Sequence, residues 1–111
     1  MDRQITFGMA ILEARKRNGL SQRELAALVR LEDGRAISPQ YLNDIEHDRR
    51  SPKGDHLIGE FARILGESGD YLCFLAGSLP ADIRGRAASP ELVERSMRAF
   101  RRSIAAAGGR A

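Results

Sequence analysis

Three of the four prolines in this chain directly follow a serine, at Ser38-Pro39, Ser51-Pro52 and Ser89-Pro90. A serine oxygen satisfies orphan N–H groups in a helix's first turn. Proline at the first helical position gives up only an N–H that would have no partner there. Each pair therefore reads as a helix start. Ser21-Gln22-Arg23-Glu24 is a fourth start, a capping box in which Ser21 and Glu24 satisfy each other's backbone. Asn18-Gly19, Gly66, Gly77 and Gly108-Gly109 supply the stops. Between these marks apolar residues recur at helical spacing. No segment alternates apolar and polar positions with the β-branched enrichment of a strand. The expected class is all-α.

The apolar positions sort by helix. Phe7, Ile11 and Leu12 share a face of the first, and Leu25, Leu28 and Val29 follow the capping box. Leu42 and Ile45 lie on one side of the helix begun at Ser38-Pro39. Ser51-Pro52 is expected to launch the helix bearing Leu57, Ile58, Phe61, Ala62 and Leu65. A short fifth helix runs from about Asp70 to Ala76, and Leu31 to Ala36 reads as a loop around Glu32-Asp33-Gly34-Arg35. Leu79 to Ala88 reads as a linker with one turn after Pro80, before a final helix. The layout is a five-helix domain over residues 1–78, then a linker and C-terminal helix over 79–111.

Composition narrows the function. At 111 residues, the chain is one domain, or a small domain with an appendage. Aromatics make up 5% and tryptophan is absent, so the core rests on Leu, Ile, Val and Ala. The longest apolar run, Tyr71 to Gly77, falls far short of the roughly 20 residues a membrane span needs. Met1-Asp2-Arg3-Gln4 opens no signal-peptide pattern. A cytoplasmic protein with no membrane partner is expected. The single cysteine, Cys73, excludes an internal disulfide and a multi-cysteine metal site, and reads as a small buried hydrophobe. His47 and His56 have no ligand-like spacing to it or to each other. His56 and Glu60 stand one helical turn apart, a spacing more often a surface contact than a metal site. The glycines form neither a phosphate loop nor a dinucleotide fingerprint. No enzyme, metal or cofactor is expected.

The net charge of +3 is modest, yet 16 of the 18 cations are arginine, whose planar fork suits phosphate. Through Ser78 there are 11 cations against 12 anions; from Leu79 onward there are 7 against 3. A nucleic-acid partner is compatible with this balance without being required by it.

Gly19-Leu20-Ser21-Gln22-Arg23-Glu24-Leu25-Ala26, followed by Ser38-Pro39-Gln40-Tyr41-Leu42-Asn43-Asp44-Ile45-Glu46, is a capped helix, a connection and a second capped helix. That is a helix-turn-helix arrangement. From Ile5 to Gly77 the sequence resembles the phage-repressor-like (XRE, or Cro/C1) helix-turn-helix family. The matching features are the Arg15-to-Gly19 helix end, Leu20-Ser21-Gln22, Ile45-Glu46 with Arg49-Arg50-Ser51-Pro52, Leu65-Gly66 and Tyr71-Leu72. The resemblance implies a compact five-helix, lambda-repressor-like domain that binds double-stranded DNA with its third helix in the major groove.

Base contacts are then expected from Pro39, Gln40, Asn43 and Asp44. Glutamine can pair adenine through two hydrogen bonds, and an acidic group can accept from cytosine N4. Phosphate contacts are expected from Gln22, Arg23, Ser38, Tyr41, Arg49, Arg50 and Lys53; such contacts position a protein without reading sequence. Arg15 and Glu46 match a buried ion pair joining the first and third helices. Without the resemblance, Gln40 and Asn43 are two solvated polar residues on a surface helix, and Arg49, Arg50 and Lys53 a solvated charged turn. With Leu42 and Ile45 inward, Gln40, Asn43 and Asp44 fall on other faces and can point outward.

Two departures stand out. The connection between the second and third helices is usually short, and Leu31 to Ala36 lengthens it by about five residues. Either this is a tolerated insertion, since longer loops cost little entropy, or it lies along the DNA backbone with Arg35 on a phosphate. Asp48 stands where the family often has glycine; aspartate tolerates left-handed backbone better than most residues.

In the final helix Val93, Met97, Phe100 and Ile104 form an apolar stripe, with Leu92 beside it. The helix could pack on its own domain, pair with its copy in a second subunit, or act as a basic amphipathic surface. Homodimerisation leads, because paired half-sites suit a two-fold protein. The expected function is a dimeric, sequence-specific transcriptional regulator, acting as a repressor. The alternative is an antitoxin or co-regulator whose final helix holds a protein partner.

Overall fold

The computed structural model describes residues 4–86 and 89–108. They contain seven helices: α1 (Phe7–Arg17), α2 (Gln22–Leu28), α3 (Pro39–Glu46), α4 (Gly54–Leu65), α5 (Gly69–Leu75), α6 (Ala81–Arg84) and α7 (Pro90–Gly108). Among the described residues there is no strand, only an isolated bridge between Arg30 and Ala36. The chain divides into two compact units, Met1–Pro80 and Ala81–Ala111.

In the first unit the helix starts follow from local chemistry. Thr6, Ser21, Ser38 and Ser68 each accept a backbone N–H from the first turn of α1, α2, α3 and α5. The Ser21 and Glu24 capping box closes in both directions. Ser51-Pro52 does not start α4. The helix begins two residues later at Gly54, whose φ of 77° turns the chain into it, and Lys53 at the cap makes no side-chain cap bond. The Arg49 and Arg50 N–H groups both bond the Asp44 carbonyl and close the end of α3, and residues 51–53 stay non-helical, with Lys53 extended, until Gly54 turns the chain. Gly66 ends α4 in the left-handed region at φ 69°.

The core joins Phe7, Ile11 and Ala14 of α1, Leu25 and Ala26 of α2, Leu42 and Ile45 of α3, the apolar face of α4, and Leu72 and Cys73 of α5. Phe7 meets Phe61 edge-on, with ring centroids 6.1 Å apart. Two sequence expectations shift. Leu12 is only part-buried and Ala14 takes the inward position. Leu28 is exposed, because α2 stops there and Val29, already extended, turns into the core in its place.

Helices α1 and α3 approach closely at Gly8. A Cβ on Gly8 would stand 2.7 Å from both the Glu46 carbonyl and the Asp48 carboxylate, and nearer still to the Ile45 carbonyl. Asp48 has a φ of 60°. Its carboxylate accepts from Thr6 Oγ1 at 2.6 Å and from the Gly8 N–H at 3.0 Å, tying the start of α1 to the end of α3.

The Leu31–Ala36 segment is a small hairpin rather than an open loop. Leu31 N–H donates to the Arg35 carbonyl and Ile37 N–H to the Val29 carbonyl, while Gly34 at φ 89° makes the turn. Val29 and Ile37, one on each arm, are buried. Glu60 and His56 of α4 hold the base: Glu60 accepts the Arg30 N–H at 3.0 Å, and His56 Nε2 lies 2.9 Å from the Arg30 carbonyl.

In the second unit, α6 is the single turn expected after Pro80, and Ser89 caps α7 by accepting the Leu92 N–H. Arg98 and Glu94 pair at 3.7 Å along α7. The expected helix end at Gly108-Gly109 and the close of the linker at Ala87-Ala88 lie partly outside the described residues.

Candidate nucleic-acid interface

Helix α3 has two chemically distinct sides. Leu42, Ile45 and Glu46 are buried, whereas Pro39 and Gln40 are exposed and Asn43 and Asp44 part-buried. A groove in front of α3 is lined by Arg35 and Ala36 of the hairpin, by Gln40, Tyr41 and Asp44, and by Arg50 and Lys53 beyond the helix. The structure thus brings Arg35 beside residues far from it in sequence. Gln22 and Arg23, at the start of α2, do not line this groove.

The buried side rests on an ion pair. Arg15 Nε lies 2.6 Å from Glu46 Oε2 and its Nη2 lies 3.1 Å from Oε1, while Nη1 donates to the Leu20 carbonyl. The Glu46 side chain has no exposed surface, so ionising it without a partner would be costly. Gln22 completes the arrangement: its Nε2 donates to Glu46 Oε1 at 2.8 Å and to Asn43 Oδ1 at 3.0 Å. A phosphate contact from that nitrogen would compete with both bonds. Arg23 is exposed at the start of α2, and the Ser38 oxygen is engaged as the cap of α3.

The outward side is organised around Asp44. Its carboxylate accepts from Gln40 Nε2 at 3.0 Å and lies 3.1 Å from Arg49 Nη2 and 3.9 Å from Arg50 Nε. The Arg50 guanidinium also sits over the Tyr41 ring, 5.4 Å from its centroid. At the hairpin tip, Asp33 accepts the backbone N–H of Arg35 and pairs with its guanidinium at 2.8 Å. That N–H above all, and then the guanidinium, hold the Asp33 carboxyl below its ordinary value. Arg35 remains 79% exposed and free to exchange partners.

The clamp formed by His56 and Glu60 was visible in the sequence only as a spacing. The backbone N–H of Arg30 is the chief cause of a Glu60 carboxyl held below its ordinary value. Among the described residues no cluster of three or more His, Cys, Asp or Glu side chains is arranged to hold a metal, and no helix is long and apolar enough to cross a membrane.

The helix-turn-helix family model matches residues 11–72, more than half of the chain and all of α2 through α4. The chain belongs to the XRE-type, Cro/C1-like helix-turn-helix family. Its fold is the all-α, lambda-repressor-like one, elaborated here by the hairpin between α2 and α3. XRE-type domains are DNA-binding regulatory domains, so double-stranded DNA is the partner this one implies. No curated protein and no solved structure matched the chain.

Proposed function

We propose that this XRE-type protein is a sequence-specific transcriptional repressor that binds as a homodimer. The observation that carries the reading is the side of α3 away from its buried residues: Gln40, Asn43 and Asp44 above the buried Arg15–Glu46 pair, with Arg49 paired to Asp44 and with Arg50, Lys53 and Arg35 lining the groove in front. Amide and carboxylate groups suit base edges in a major groove, and the arginines and lysine suit the flanking phosphates. In this reading Pro39 offers an apolar contact to a thymine methyl, and Arg23, Ser38 and Tyr41 lie near the backbone. Repression needs nothing beyond occupancy of the operator, which a small reading unit supplies.

Dimerisation is assigned to the second unit. Leu92, Phe100 and Ile104 are exposed on α7, with part-buried Val93 and Met97 completing the stripe. A two-fold pair of such helices would join two reading units in one protein, as paired half-sites require. Deleting residues 89–111 should then leave a monomer by light scattering; a truncated protein that remains a dimer rejects the assignment.

The test of the function is fluorescence anisotropy with the gene's own upstream DNA against a scrambled duplex, at two salt concentrations. Preference for the former that survives the higher salt and falls with Gln40→Ala supports a sequence reader. Equal binding to both, erased by salt, leaves only phosphate attraction.

A further inference from the structure

We infer that the groove between the hairpin and α3 seats one strand of the DNA backbone, with Arg35 reaching a phosphate from the hairpin side and Arg50 and Lys53 from the other. The inference rests on DNA as the partner and adds where one strand lies and which segment of the chain encloses it.

The groove, about 510 Å³ in volume, gathers three cations from two segments remote in sequence. Arg35 comes from the hairpin, and Arg50 and Lys53 from the connection between α3 and α4. Among the described residues Asp44 is the one carboxylate in the lining. It already accepts from Gln40 and pairs with Arg49, so it leaves the groove cationic. Leu31, Ala36 and Tyr41 give the same groove a carbon-rich surface. A free phosphate or a carboxylate would use the cations alone. A sugar–phosphate strand uses both surfaces, its phosphates meeting the cations and its deoxyribose faces the apolar side chains.

Both sides are held in place before DNA arrives. At the base of the hairpin, Glu60 accepts the Arg30 N–H and His56 Nε2 lies 2.9 Å from the Arg30 carbonyl. At the tip, Asp33 accepts both the backbone N–H and the guanidinium of Arg35. The backbone bond remains when the guanidinium leaves, so Arg35 can exchange a carboxylate for a phosphate while the hairpin keeps its shape. On the other side the Arg50 guanidinium lies over the Tyr41 ring, 5.4 Å from its centroid. Cations ordered in advance lose less freedom on binding. Glu60 and His56 touch no DNA in this scheme; they are positioning residues.

The experiment is a salt titration of DNA affinity followed by methylphosphonate scanning. Wild type, Arg35→Ala, Arg35→Lys and Lys53→Ala are compared, and circular dichroism confirms that each folds. On a random-sequence duplex, Arg35→Ala should make the fall of log K with log salt shallower by about one unit, and Arg35→Lys should preserve it. In an operator selected from a random library by the wild-type protein, each phosphate is then replaced in turn by an uncharged methylphosphonate. One such replacement should weaken wild type by about fivefold or more, yet change Arg35→Ala by less than about twofold. Lys53→Ala should become indifferent at that phosphate or at its neighbour on the same strand. An unchanged salt slope in Arg35→Ala, no phosphate whose effect depends on Arg35, or phosphates on opposite strands for Arg35 and Lys53 each overturns the inference. A selection that yields no motif overturns the sequence reading proposed above instead, and the slope on the random duplex still decides this inference.

Discussion

The Asp44 carboxylate lies 3.1 Å from the Arg49 guanidinium, on the face that α3 turns outward. The same carboxylate accepts from Gln40 and stands 3.9 Å from Arg50, so one anion is shared among three groups suited to DNA. A phosphate would have to replace it. In the proposed reading Asp44 is therefore a built-in competitor that weakens attraction to DNA of any sequence. Asp44→Asn should raise affinity for a scrambled duplex several-fold. It should also steepen the fall of log K with log salt by about one unit, the signature of one more cation available to phosphate. Anisotropy titrations at four or more salt concentrations read both quantities. An unchanged slope would mean that Arg49 and Arg50 stay clear of the DNA.

The ion pair beneath that face carries stability. Removing Arg15 leaves Glu46 buried with only the Gln22 amide to compensate its charge. Breaking a buried pair from one side costs about 3–5 kcal/mol. Arg15→Ala should therefore lower the unfolding free energy by about that much in urea melts. Arg15→Lys should recover only part of it, because one ammonium cannot reproduce the two-point contact of Nε and Nη2. A loss within about half a kcal/mol for the alanine variant would show that water reaches Glu46 freely.

Gly8 gives a second, purely steric test. A methyl group there would overlap backbone carbonyls of α3 and the Asp48 carboxylate, and backbone cannot swing aside as a flexible side chain can. Gly8→Ala gains helix propensity of up to about 1 kcal/mol. The overlap should outweigh this and leave a net destabilisation of roughly 2 kcal/mol or more. Thermal melts against the wild-type protein decide the sign. A stabilised Gly8→Ala would mean that α1 and α3 can separate cheaply.

What was legible in the sequence was the local chemistry. Ser21 with Glu24, Ser38 with Pro39 and Gly66 are starts and stops made by neighbouring residues, so spacing alone reveals them. Leu42 and Ile45 are likewise fixed by helical period. Ser51-Pro52 did not start α4 because the turn into that helix is made by the positive φ of Gly54, after an extended Lys53, two residues beyond the serine–proline pair. The hairpin was missed for another reason. Only one bridge pairs its arms, too little to create alternation, and its anchor is Glu60, thirty residues away in sequence. At the site, residue types suggested what could touch DNA. The engagements of Gln22 with Asn43 and of Asp44 with Arg49 needed three dimensions.

The hairpin's anchor should respond to acid. Glu60 accepts the Arg30 N–H as a carboxylate, and that bond is the chief reason its carboxyl titrates below its ordinary value of 4.5. A group whose folded value is depressed contributes stability above its unfolded value and loses it as pH falls through the folded one. The clamp should therefore be fully present above about pH 4.5 and weaken below it, with His56 left as the remaining hold on Arg30. The Arg30 amide's exchange protection, corrected for the intrinsic rate at each pH, reports this directly. It should be flat from neutral pH down to about 5 and fall in more acid solution. Glu60→Gln keeps a carbonyl acceptor that does not titrate, so its Arg30 protection should be lower at neutral pH but constant into acid. Wild-type protection that stays constant into acid as well would place the hairpin's hold in Val29 and Ile37 rather than in Glu60.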